Sequence, residues 1–407
     1  MTAKYISRSL EKPLEKAMSQ FPAVMLTGPR QSGKTTLLKT LFGHTFGYVS
    51  LDMPDIRESA LSDPRSFLAM HPAPVIFDEA QNAADLFPYI KERIDSDRNA
   101  KGQYILTGSQ NLMLSETVTE SLAGRAATLR LLPLTLRELQ GAPDRPLFWE
   151  TRDPTSTCGK QSFGTLWDNL LRGFYPEIAV DPNRDNSLWQ ASYVNTYLER
   201  DVRSLRQVAD LSQFQTFLRV LAARSAQLIN LSDIARDIGV AVNTLKAWLS
   251  VLEATFQVIV LRPWYSNTGK RLVKTPKIYF TDTGTLCYLL GLKNPEHAAQ
   301  GPAGGQIMET AVVSEIYKTL THRGEEPRLY FWRTSSGTEV DIIVENGGTF
   351  FPVEVKLSAT PRIQFGRSIR AFLKDHKNIV SPGYVVHPGE TLLPLGKGVT
   401  ALPFCDL

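Results

Sequence analysis

Short apolar runs punctuate the first 140 residues, and stretches with helical periodicity separate them. The segment before the first run already has this periodicity, since Leu10, Leu14 and Met18 recur at every fourth position. Alternation of apolar runs with helical stretches predicts a parallel sheet flanked by helices. The predicted strands are Ala23–Thr27, Tyr48–Leu51, Val75–Phe77, Tyr104–Thr107 and Ala127–Leu131.

The pattern changes twice further along the chain. Residues 141–165 are rich in Pro, Gly and Ser and read as a linker, whereas residues 166–295 are mostly helical by periodicity. The last block, 296–407, opens with a predicted helix over residues 306–322 and continues with three strand-like runs. These runs are Leu329–Arg333, Val340–Glu345 and Phe350–Lys356. The chain is therefore predicted to be an α/β protein, with an α/β domain over residues 1–140, a linker over 141–165, a helical domain over 166–295 and a second α/β domain over 296–407.

A glycine-rich segment lies between the first predicted strand and a helical stretch, and it fits the pattern G-x4-G-K-[ST]. Its glycines let backbone N–H groups turn inward around phosphate oxygens, and the following helix adds the positive end of its dipole. Lys34 is expected at the β- and γ-phosphates, and the Thr35 hydroxyl is expected to ligate Mg²⁺. The sequence thus predicts ATP and Mg²⁺ as ligands. The predicted binding residues are Gly28, Pro29, Arg30, Gln31, Ser32, Gly33, Lys34, Thr35 and Thr36.

Two carboxylates follow the buried run that ends at Phe77. Asp78 is placed to hold the Mg²⁺ shell, and Glu79 to orient and deprotonate the attacking water. These carboxylates lie about 45 residues after the glycine-rich segment, which is called the P-loop below, and this spacing is plausible for a Mg²⁺ and nucleotide site. By itself, such a run followed by Asp-Glu also fits a strand that ends in an exposed turn.

Three more residues are candidates for contact with the γ-phosphate. If the strand ending at Thr107 lies between the P-loop strand and the strand of Asp78, either Thr107 or Ser109 would sense that phosphate; a capped loop is the alternative. Arg125 follows a probable helix end. It is predicted as an arginine finger, acting in its own subunit or on a neighbour in a homo-oligomer, against the alternative of a surface arginine.

Residues 231–249 resemble a helix-turn-helix. Ser232 suits the N-cap of the first helix, and Gly239 suits the turn. The second helix would turn Leu245 and Trp248 inward. Its outward residues, together with two on a predicted wing, form the candidate DNA contacts, namely Asn243, Thr244, Lys246, Lys270 and Arg271.

The distribution of charge supports this interpretation. Residues 231–280 contain seven Lys or Arg and three acidic residues, and the difference, 7 − 3 = +4, equals the net charge of the whole chain. A local excess of positive charge is typical of phosphate contact. A structural or protein-binding module remains the alternative. The residues counted are Arg236, Lys246, Arg262, Lys270, Arg271, Lys274 and Lys277 against Asp233, Asp237 and Glu253.

The C-terminal block carries carboxylates on its predicted elements. Asp341 and Glu354 lie on adjacent strand-like runs, which as a hairpin would bring them together with Glu309 from the preceding helix. Such an oxygen-rich site suits Mg²⁺ or Mn²⁺, with Asp341 and Glu354 as metal ligands. Lys356 faces the same side as Glu354 and would orient or activate a water for attack on a phosphodiester. This is the PD-(D/E)XK arrangement of many nucleases. The site either cleaves nucleic acid or is a relic that only binds.

Composition and the first residues bear on the cellular location of the protein and on the roles of its cysteines. No apolar run is long enough to span a bilayer, and the first residues do not form a signal peptide, so we expect a cytoplasmic protein with no membrane partner. The three cysteines, Cys158, Cys287 and Cys405, are scattered and predict neither disulfides nor a zinc site.

Taken together, these residues resemble a widespread bacterial and archaeal family of AAA-type ATPases that join a P-loop domain to a C-terminal domain of unassigned function. The resemblance covers nearly the whole chain, and it implies ATP binding, an AAA-type core, a winged helix and a nuclease-like tail. No second-sensor arginine stands out by motif after residue 140, which departs from AAA-type patterns. The most specific stretches start at Phe21, Phe77, Leu106, Leu122, Tyr197, Tyr279 and Val353.

Two functions fit these features. One is an ATPase that couples hydrolysis to work on DNA through the winged helix and the nuclease-like domain. The other is a nucleotide-driven regulatory switch that binds a protein partner and has a catalytically inactive C-terminal domain.

Overall fold

The computed structural model describes residues 5–108, 121–151, 162–198, 210–264, 275–376 and 382–407. The chain divides into two compact units. The first comprises residues 1–134, 254–256 and 319–325, and the second comprises residues 135–253, 257–318 and 326–407. The helical block and the C-terminal block predicted from the sequence thus share one unit.

A five-stranded parallel sheet forms the centre of the first unit, in the order β2-β3-β4-β1-β5. Strands β1, β3 and β4 are buried along their whole length, which is why they read as apolar runs. The predicted sheet is confirmed, with each strand within one residue of its expected bounds. The strands are β1 (Ala23–Thr27), β2 (Gly47–Ser50), β3 (Val75–Asp78), β4 (Tyr104–Gly108) and β5 (Ala126–Arg130).

Helices cover both faces of this sheet. Side chains of β3 alternate between two apolar clusters, because Phe77 packs on one face with Ile90, and Ile76 packs on the other with Leu14 and Leu37. Three of the helices begin with proline near the first helical position, where its missing N–H costs nothing. The helices are α1 (Glu11–Gln20), α2 (Lys34–Phe42), α3 (Pro54–Ser62), α4 (Pro64–Met70) and α5 (Phe87–Ser96), with a 3₁₀ helix over Ala80–Leu86.

The second unit contains an eight-stranded mixed sheet in the order β12-β13-β11-β10-β9-β8-β6-β7. Its bounds are β6 (Val258–Pro263), β7 (Lys277–Phe280), β8 (Leu329–Arg333), β9 (Glu339–Asn346), β10 (Thr349–Val355), β11 (Gly383–His387), β12 (Leu393–Pro394) and β13 (Val399–Pro403). Strands β9 and β10 pair as the expected antiparallel hairpin, turning at two glycines with positive φ.

The predicted wing strands belong to this sheet. Strand β6 pairs with β7 antiparallel and with β8 parallel, Arg262 lying opposite Tyr330. A boundary at residues 295/296 would therefore separate strands of one sheet. The missed contact is a pairing between segments far apart in sequence, which local periodicity does not encode.

Helices α6–α16 belong largely to the second unit. They are α6 (Leu136–Leu139), α7 (Phe163–Arg172), α8 (Pro176–Ala179), α9 (Asn186–Tyr193), α10 (Leu211–Ala223), α11 (Leu231–Ile238), α12 (Val242–Ala254), α13 (Thr283–Leu289), α14 (Pro295–Gln300), α15 (Gly304–His322) and α16 (Arg367–Asp375). Among the helices of the described ranges, none combines the length and apolar character that a membrane crossing requires.

Helices α11 and α12 occupy the predicted helix-turn-helix. Gly239 ends α11 in the left-handed conformation, as expected for the turn, and Leu245 and Trp248 are buried. The N-cap is Asn230, whose side chain accepts from the N–H groups of residues 232 and 233. Ser232 is therefore the second residue of the helix, and its assignment as N-cap is corrected.

In the sequence stretch that begins at Tyr279, Asp282 and Gly284 stabilise the fold of the second unit. Asp282 caps α13 and is buried, accepting hydrogen bonds from the N–H groups of Phe174 (2.6 Å) and Thr285 (2.9 Å). A side chain at Gly284 would begin 2.3 Å from the carbonyl oxygen of Arg172. This segment joins two helices of the second unit so closely that only glycine fits.

Candidate functional site

The P-loop connects the carboxyl end of β1 to α2 through residues of unusual backbone conformation. Gln31 and Gly33 have φ of 61° and 96°. Successive changes of backbone handedness turn N–H groups toward one side, as a phosphate cradle requires. A side chain at Gly28 would begin 2.0 Å from the carbonyl oxygen of Leu131, so close packing on the chain after β5 requires glycine there.

Several hydrogen-bond donors lie at the P-loop. No side chain caps the N-terminus of α2, which leaves its first N–H groups to bind an anion. The Lys34 ammonium lies over the loop and donates to the carbonyl oxygens of Gly28 (2.9 Å) and Pro29 (3.0 Å). Ser32 Oγ is buried and has no hydrogen-bond partner among the described residues. A phosphate group fits this set of donors.

Arg8 holds the P-loop from outside the motif. Its guanidinium is buried and donates to the carbonyl oxygens of Ser32 (2.9 Å) and Leu132 (2.7 Å). The loop is thereby fixed to the chain that follows β5. The sequence analysis missed Arg8, since nothing in the N-terminal segment indicates where its side chain ends.

Asp78 lies at the carboxyl end of β3, where it meets the P-loop. The Thr35 hydroxyl donates to Asp78 Oδ2 at 3.1 Å, so the two predicted Mg²⁺ residues are adjacent. Asp78 also accepts hydrogen bonds from the hydroxyls of Tyr48, at Oδ2, and Thr107, at Oδ1. Burial, together with the hydrogen bond to Asp78, raises the pKa of Tyr48. Tyr48, on β2, is a site residue that the sequence analysis did not identify.

Thr107 contacts the carboxylate of Asp78 and the backbone N–H of Glu79. Its side chain is fully buried, and its Oγ1 accepts a hydrogen bond from the N–H of Glu79 (3.3 Å) in addition to bonding Asp78. Strand β4 does lie between β1 and β3, as the γ-phosphate hypothesis required. The structure nevertheless places the Thr107 hydroxyl on Asp78 and Glu79. The other candidate, Ser109, lies outside the described residues.

Glu79 directly follows β3 and has a left-handed backbone, with φ 54° and ψ 45°. Its carboxylate accepts a hydrogen bond from Gln81 Nε2. Residues other than glycine rarely adopt this conformation, and such residues cluster at functional sites. Glu79 thus directly follows Asp78, which contacts Thr35 of the P-loop, at the carboxyl end of β3.

Arg125 lies at the opposite end of the strands, next to the first residue of β5. It precedes β5, whose Ala126 is level with Ala23, whereas the P-loop follows Thr27 at the other end of β1. The span of these parallel strands is about 15 Å. The Arg125 guanidinium instead pairs with both oxygens of Asp95, at 2.8 and 2.9 Å. This position is at the far end of the strands from the P-loop, and the role of Arg125 as an arginine finger stays a prediction.

The strand order, the P-loop and the two carboxylates at its edge define an AAA-type P-loop ATPase domain. A family model described as "AAA domain" matches residues 20–140. Two further models, both described as domains of unknown function (DUF8612 and DUF4143), match residues 164–296 and 304–407.

Relatives match nearly the whole chain. The uncharacterized proteins Rv2008c of Mycobacterium tuberculosis and Mb2031c of Mycobacterium bovis are each 32% identical to it over 391 residues, covering 96% of this chain and 82% of theirs. The chain belongs to the same family as these two proteins. The uncharacterized protein MJ1544 of Methanocaldococcus jannaschii is 21% identical over 361 residues, covering 84% of this chain and 75% of its own.

Solved structures resemble the chain only distantly. The Walker-type ATPase PABY2304 of Pyrococcus abyssi is 16% identical, with a TM-score of 0.44, covering 69% of this chain and 94% of its own. The RuvB Holliday junction branch migration motor of Thermotoga maritima is also 16% identical, with a TM-score of 0.28, covering 62% of this chain and 89% of its own.

A second group of polar residues lies in the eight-stranded sheet. Asp341 on β9 accepts a hydrogen bond from the N–H of Val355 (2.8 Å), and Glu354 on β10 accepts one from Lys356 Nζ (2.6 Å). Because β9 and β10 are paired, Asp341 and Glu354 lie on neighbouring strands, and Lys356 directly follows β10.

Glu309 joins this group from α15, held by two residues of β7. It accepts hydrogen bonds from the Tyr279 hydroxyl (2.6 Å) and from Lys277 Nζ (3.0 Å), and Lys277 also pairs with Glu339. The sequence analysis counted Lys277 among the cations available to DNA. That assignment is corrected, since the Lys277 side chain is 5% exposed and neutralises carboxylates.

Burial dominates the electrostatics of this cluster. It raises the pKa of Glu309 to about 7 and that of Glu354 to about 8, and the charge of Asp341 adds to both shifts. Burial also raises the pKa of Asp341. Burial by itself lowers the pKa of Lys277, but the carboxylates of Glu309, Asp341 and Glu339 outweigh this effect and raise it.

The fit of a metal ion here is incomplete. Carboxylate oxygens are the ligands Mg²⁺ prefers, but Asp341, Glu309 and Glu354 each accept hydrogen bonds from protein donors. Within the described ranges, no group of three or more His, Cys, Asp or Glu side chains is placed to hold a metal ion. Asp341 and Glu354 as metal ligands remain a prediction.

The candidate DNA contacts are described only in part. On α12, Asn243 and Lys246 are exposed, and Thr244 is half-buried. Lys270 and Arg271 lie outside the described residues. Of the three candidate contacts on α12, one amide and one ammonium side chain are therefore exposed.

Proposed function

We propose that this protein is a Mg²⁺-dependent ATPase that hydrolyses ATP to ADP and phosphate. The observation that carries the proposal is the 3.1 Å contact between Thr35 Oγ1 and Asp78 Oδ2. These residues are 43 positions apart in sequence and belong to different motifs, yet they meet beside the N-terminus of α2. A P-loop hydroxyl next to a buried carboxylate is the pair that holds Mg²⁺ in P-loop ATPases.

Each residue has a separate task in this proposal. The loop N–H groups and Lys34 bind the phosphates, and Thr35 with Asp78 would hold Mg²⁺. Bound Mg²⁺ would neutralise the negative charge that develops on the phosphate during hydrolysis. Glu79 orients the attacking water and accepts its proton.

Two substitutions test the assignment. Glu79→Gln keeps the size of the side chain and removes its basicity, so ATP binding should persist while turnover falls by ~10²–10⁴-fold. Lys34→Ala should lose ATP binding itself. Steady-state phosphate release and equilibrium binding of labelled ATP measure the two effects. Normal turnover by Glu79→Gln would exclude Glu79 as the base.

We further propose that hydrolysis is coupled to work on DNA. The exposed Asn243 and Lys246 on α12, the second helix of a helix-turn-helix, support this proposal. The basic excess available to DNA is smaller than the sequence suggests, because Lys277 is buried and pairs with Glu309, which lies outside the counted segment. Among the described candidate contacts, α12 supplies the exposed side chains.

The salt dependence of binding tests this coupling. Affinity for duplex DNA should fall steeply with salt, and Lys246→Ala should lower the slope of log K against log salt by about 1. Lys16→Ala, a change at an exposed lysine of the first unit, is the matched control and should leave the slope unchanged. Absence of DNA binding by the wild-type protein would favour the alternative function, a nucleotide-driven switch with a protein partner.

The carboxylate cluster supports a second candidate activity, metal-dependent phosphodiester cleavage. Asp341 and Glu354 lie on the paired strands β9 and β10, and Lys356 directly follows β10, in the order of the PD-(D/E)XK pattern, with Glu309 beside them. Cleavage of DNA with Mg²⁺ or Mn²⁺ that is lost in both Asp341→Asn and Glu354→Gln would support it. Equal cleavage in both variants would exclude this site.

A further inference from the structure

The Gln81 side chain contacts the carboxylate of Glu79 directly. Gln81 Nε2 donates a hydrogen bond to Glu79 Oε2. An ionised carboxylate only accepts hydrogen bonds, so this contact fixes the amide with its nitrogen toward Glu79. At the other end of the amide, Gln81 Oε1 is buried and makes no hydrogen bond with the described residues. The amide is thus oriented by its contact with Glu79.

The backbone brings these two side chains together. Glu79 is left-handed, and its carbonyl oxygen accepts from the N–H of Asn82 at 3.0 Å. This turn begins the 3₁₀ helix Ala80–Leu86 and folds residue 81 back toward residue 79. The N–H of Glu79 is anchored at the same time on Thr107 Oγ1. An uncommon conformation of Glu79 is therefore held at the N–H, the carbonyl and the side chain.

We propose that Gln81 is a positioning residue for ATP hydrolysis, whose amide holds the Glu79 carboxylate in the orientation that aligns the attacking water. The inference rests on the proposed function, in which Glu79 is the base. A carboxylate held at one oxygen presents the other in a fixed direction. Because reaction rates fall steeply when a catalytic group is displaced by even 1 Å, this contact controls turnover rather than nucleotide affinity.

Gln81→Leu tests the inference, since leucine fills a similar volume without the amide. We expect kcat to fall by ~10–100-fold, while KM and the affinity for a non-hydrolysable ATP analogue stay within about 3-fold of wild type. Gln103→Leu is the matched control. Gln103 Nε2 bonds only backbone carbonyls of a turn before β4, so this variant should keep the wild-type kcat.

A double variant separates positioning from a merely structural role. If Gln81 acts through Glu79, then Glu79→Gln combined with Gln81→Leu should turn over at the rate of Glu79→Gln alone. Losses that multiply would overturn the inference. Gln81→Ala, compared by thermal unfolding, provides a second variant if the leucine form is unstable.

Two other results contradict the inference in different ways. Wild-type or higher kcat in a folded Gln81→Leu protein would show that the amide does not position the base, and it would leave the proposed ATPase function intact. A wild-type protein that binds ATP without hydrolysing it would refute the proposed function, and the inference with it.

Discussion

Three hydroxyl groups surround the carboxylate of Asp78. Two of them, from Thr35 and Tyr48, share Oδ2, and Thr107 takes Oδ1. When Thr35 ligates Mg²⁺, Tyr48 and Thr107 remain to orient the carboxylate. Residues of this kind tune a metal site without touching the ion.

Tyr48→Phe should therefore weaken Mg²⁺ binding without unfolding the protein. The ring stays in place, including its contact with the Lys39 ammonium 4.3 Å from the ring centre, and only the hydroxyl is lost. We expect the Mg²⁺ concentration for half-maximal turnover to rise by ~10-fold at saturating ATP. Tyr89→Phe, on α5, serves as the control. An unchanged Mg²⁺ dependence would show that Tyr48 does not support Asp78.

At the residue level, the sequence predicts site residues only where function follows from a local motif. Gly28, Lys34 and Thr35 are recognisable because their spacing makes one turn and one helix start. Tyr48 and Arg8 were missed, since each reaches the site only through the tertiary fold and neither belongs to a motif that marks it.

At the level of elements, the apolar pattern predicted strands well and their partners less well. Strands β1, β3 and β4 are central and fully buried, so each is an apolar run with clear ends. The predicted wing, which carries Lys270 and Arg271, was expected between two strands that pair only with each other. Those strands are β6 and β7, and β6 also pairs with β8. That pairing places Lys277 inside a carboxylate cluster, which explains why its charge was misassigned.

The same cluster predicts how stability depends on pH. Burial raises the pKa of Glu309 to about 7, whereas an unfolded Glu titrates near ~4.3. Between these values the folded state holds a proton that the unfolded state releases, so rising pH lowers the free energy of unfolding. The stabilisation is fully present below pH ~4 and is lost as the pH passes 7. The loss over this whole range is on the order of 4 kcal/mol.

Urea unfolding followed by tryptophan fluorescence measures this effect between pH 5 and pH 8. Trp264 and Trp332 lie in a core of the second unit and report its unfolding. Glu309→Gln removes the titration and should flatten the pH dependence relative to wild type. Identical pH dependence in the two proteins would contradict the raised pKa of Glu309.

At the scale of the whole molecule, the position of Arg125 bears on assembly. Arg125 lies at the end of the sheet opposite the P-loop of its own chain, and it is paired with Asp95. We propose that Arg125 completes the ATP site of a neighbouring copy in a homo-oligomer. The ion pair with Asp95 is partly exposed, so solvent screens it and a phosphate can replace Asp95 as the partner of Arg125.

Mixing two inactive variants tests this proposal. Lys34→Ala cannot bind ATP but retains Arg125, and Arg125→Ala has the reverse defect. Each should be inactive alone, and a mixture should regain ATP turnover because one copy supplies the arginine and the other the P-loop. Full activity of Arg125→Ala alone, or an inactive mixture, would contradict action between copies.

All of these roles depend on nucleotide binding at the P-loop. Calorimetric titration of the full chain with ATP in magnesium buffer tests that claim directly, with Lys34→Ala as the comparison. The account predicts saturable binding of one ATP per chain by the wild-type protein and none by the variant. Absence of binding heat in the wild-type protein, or equal heat in both proteins, would contradict it.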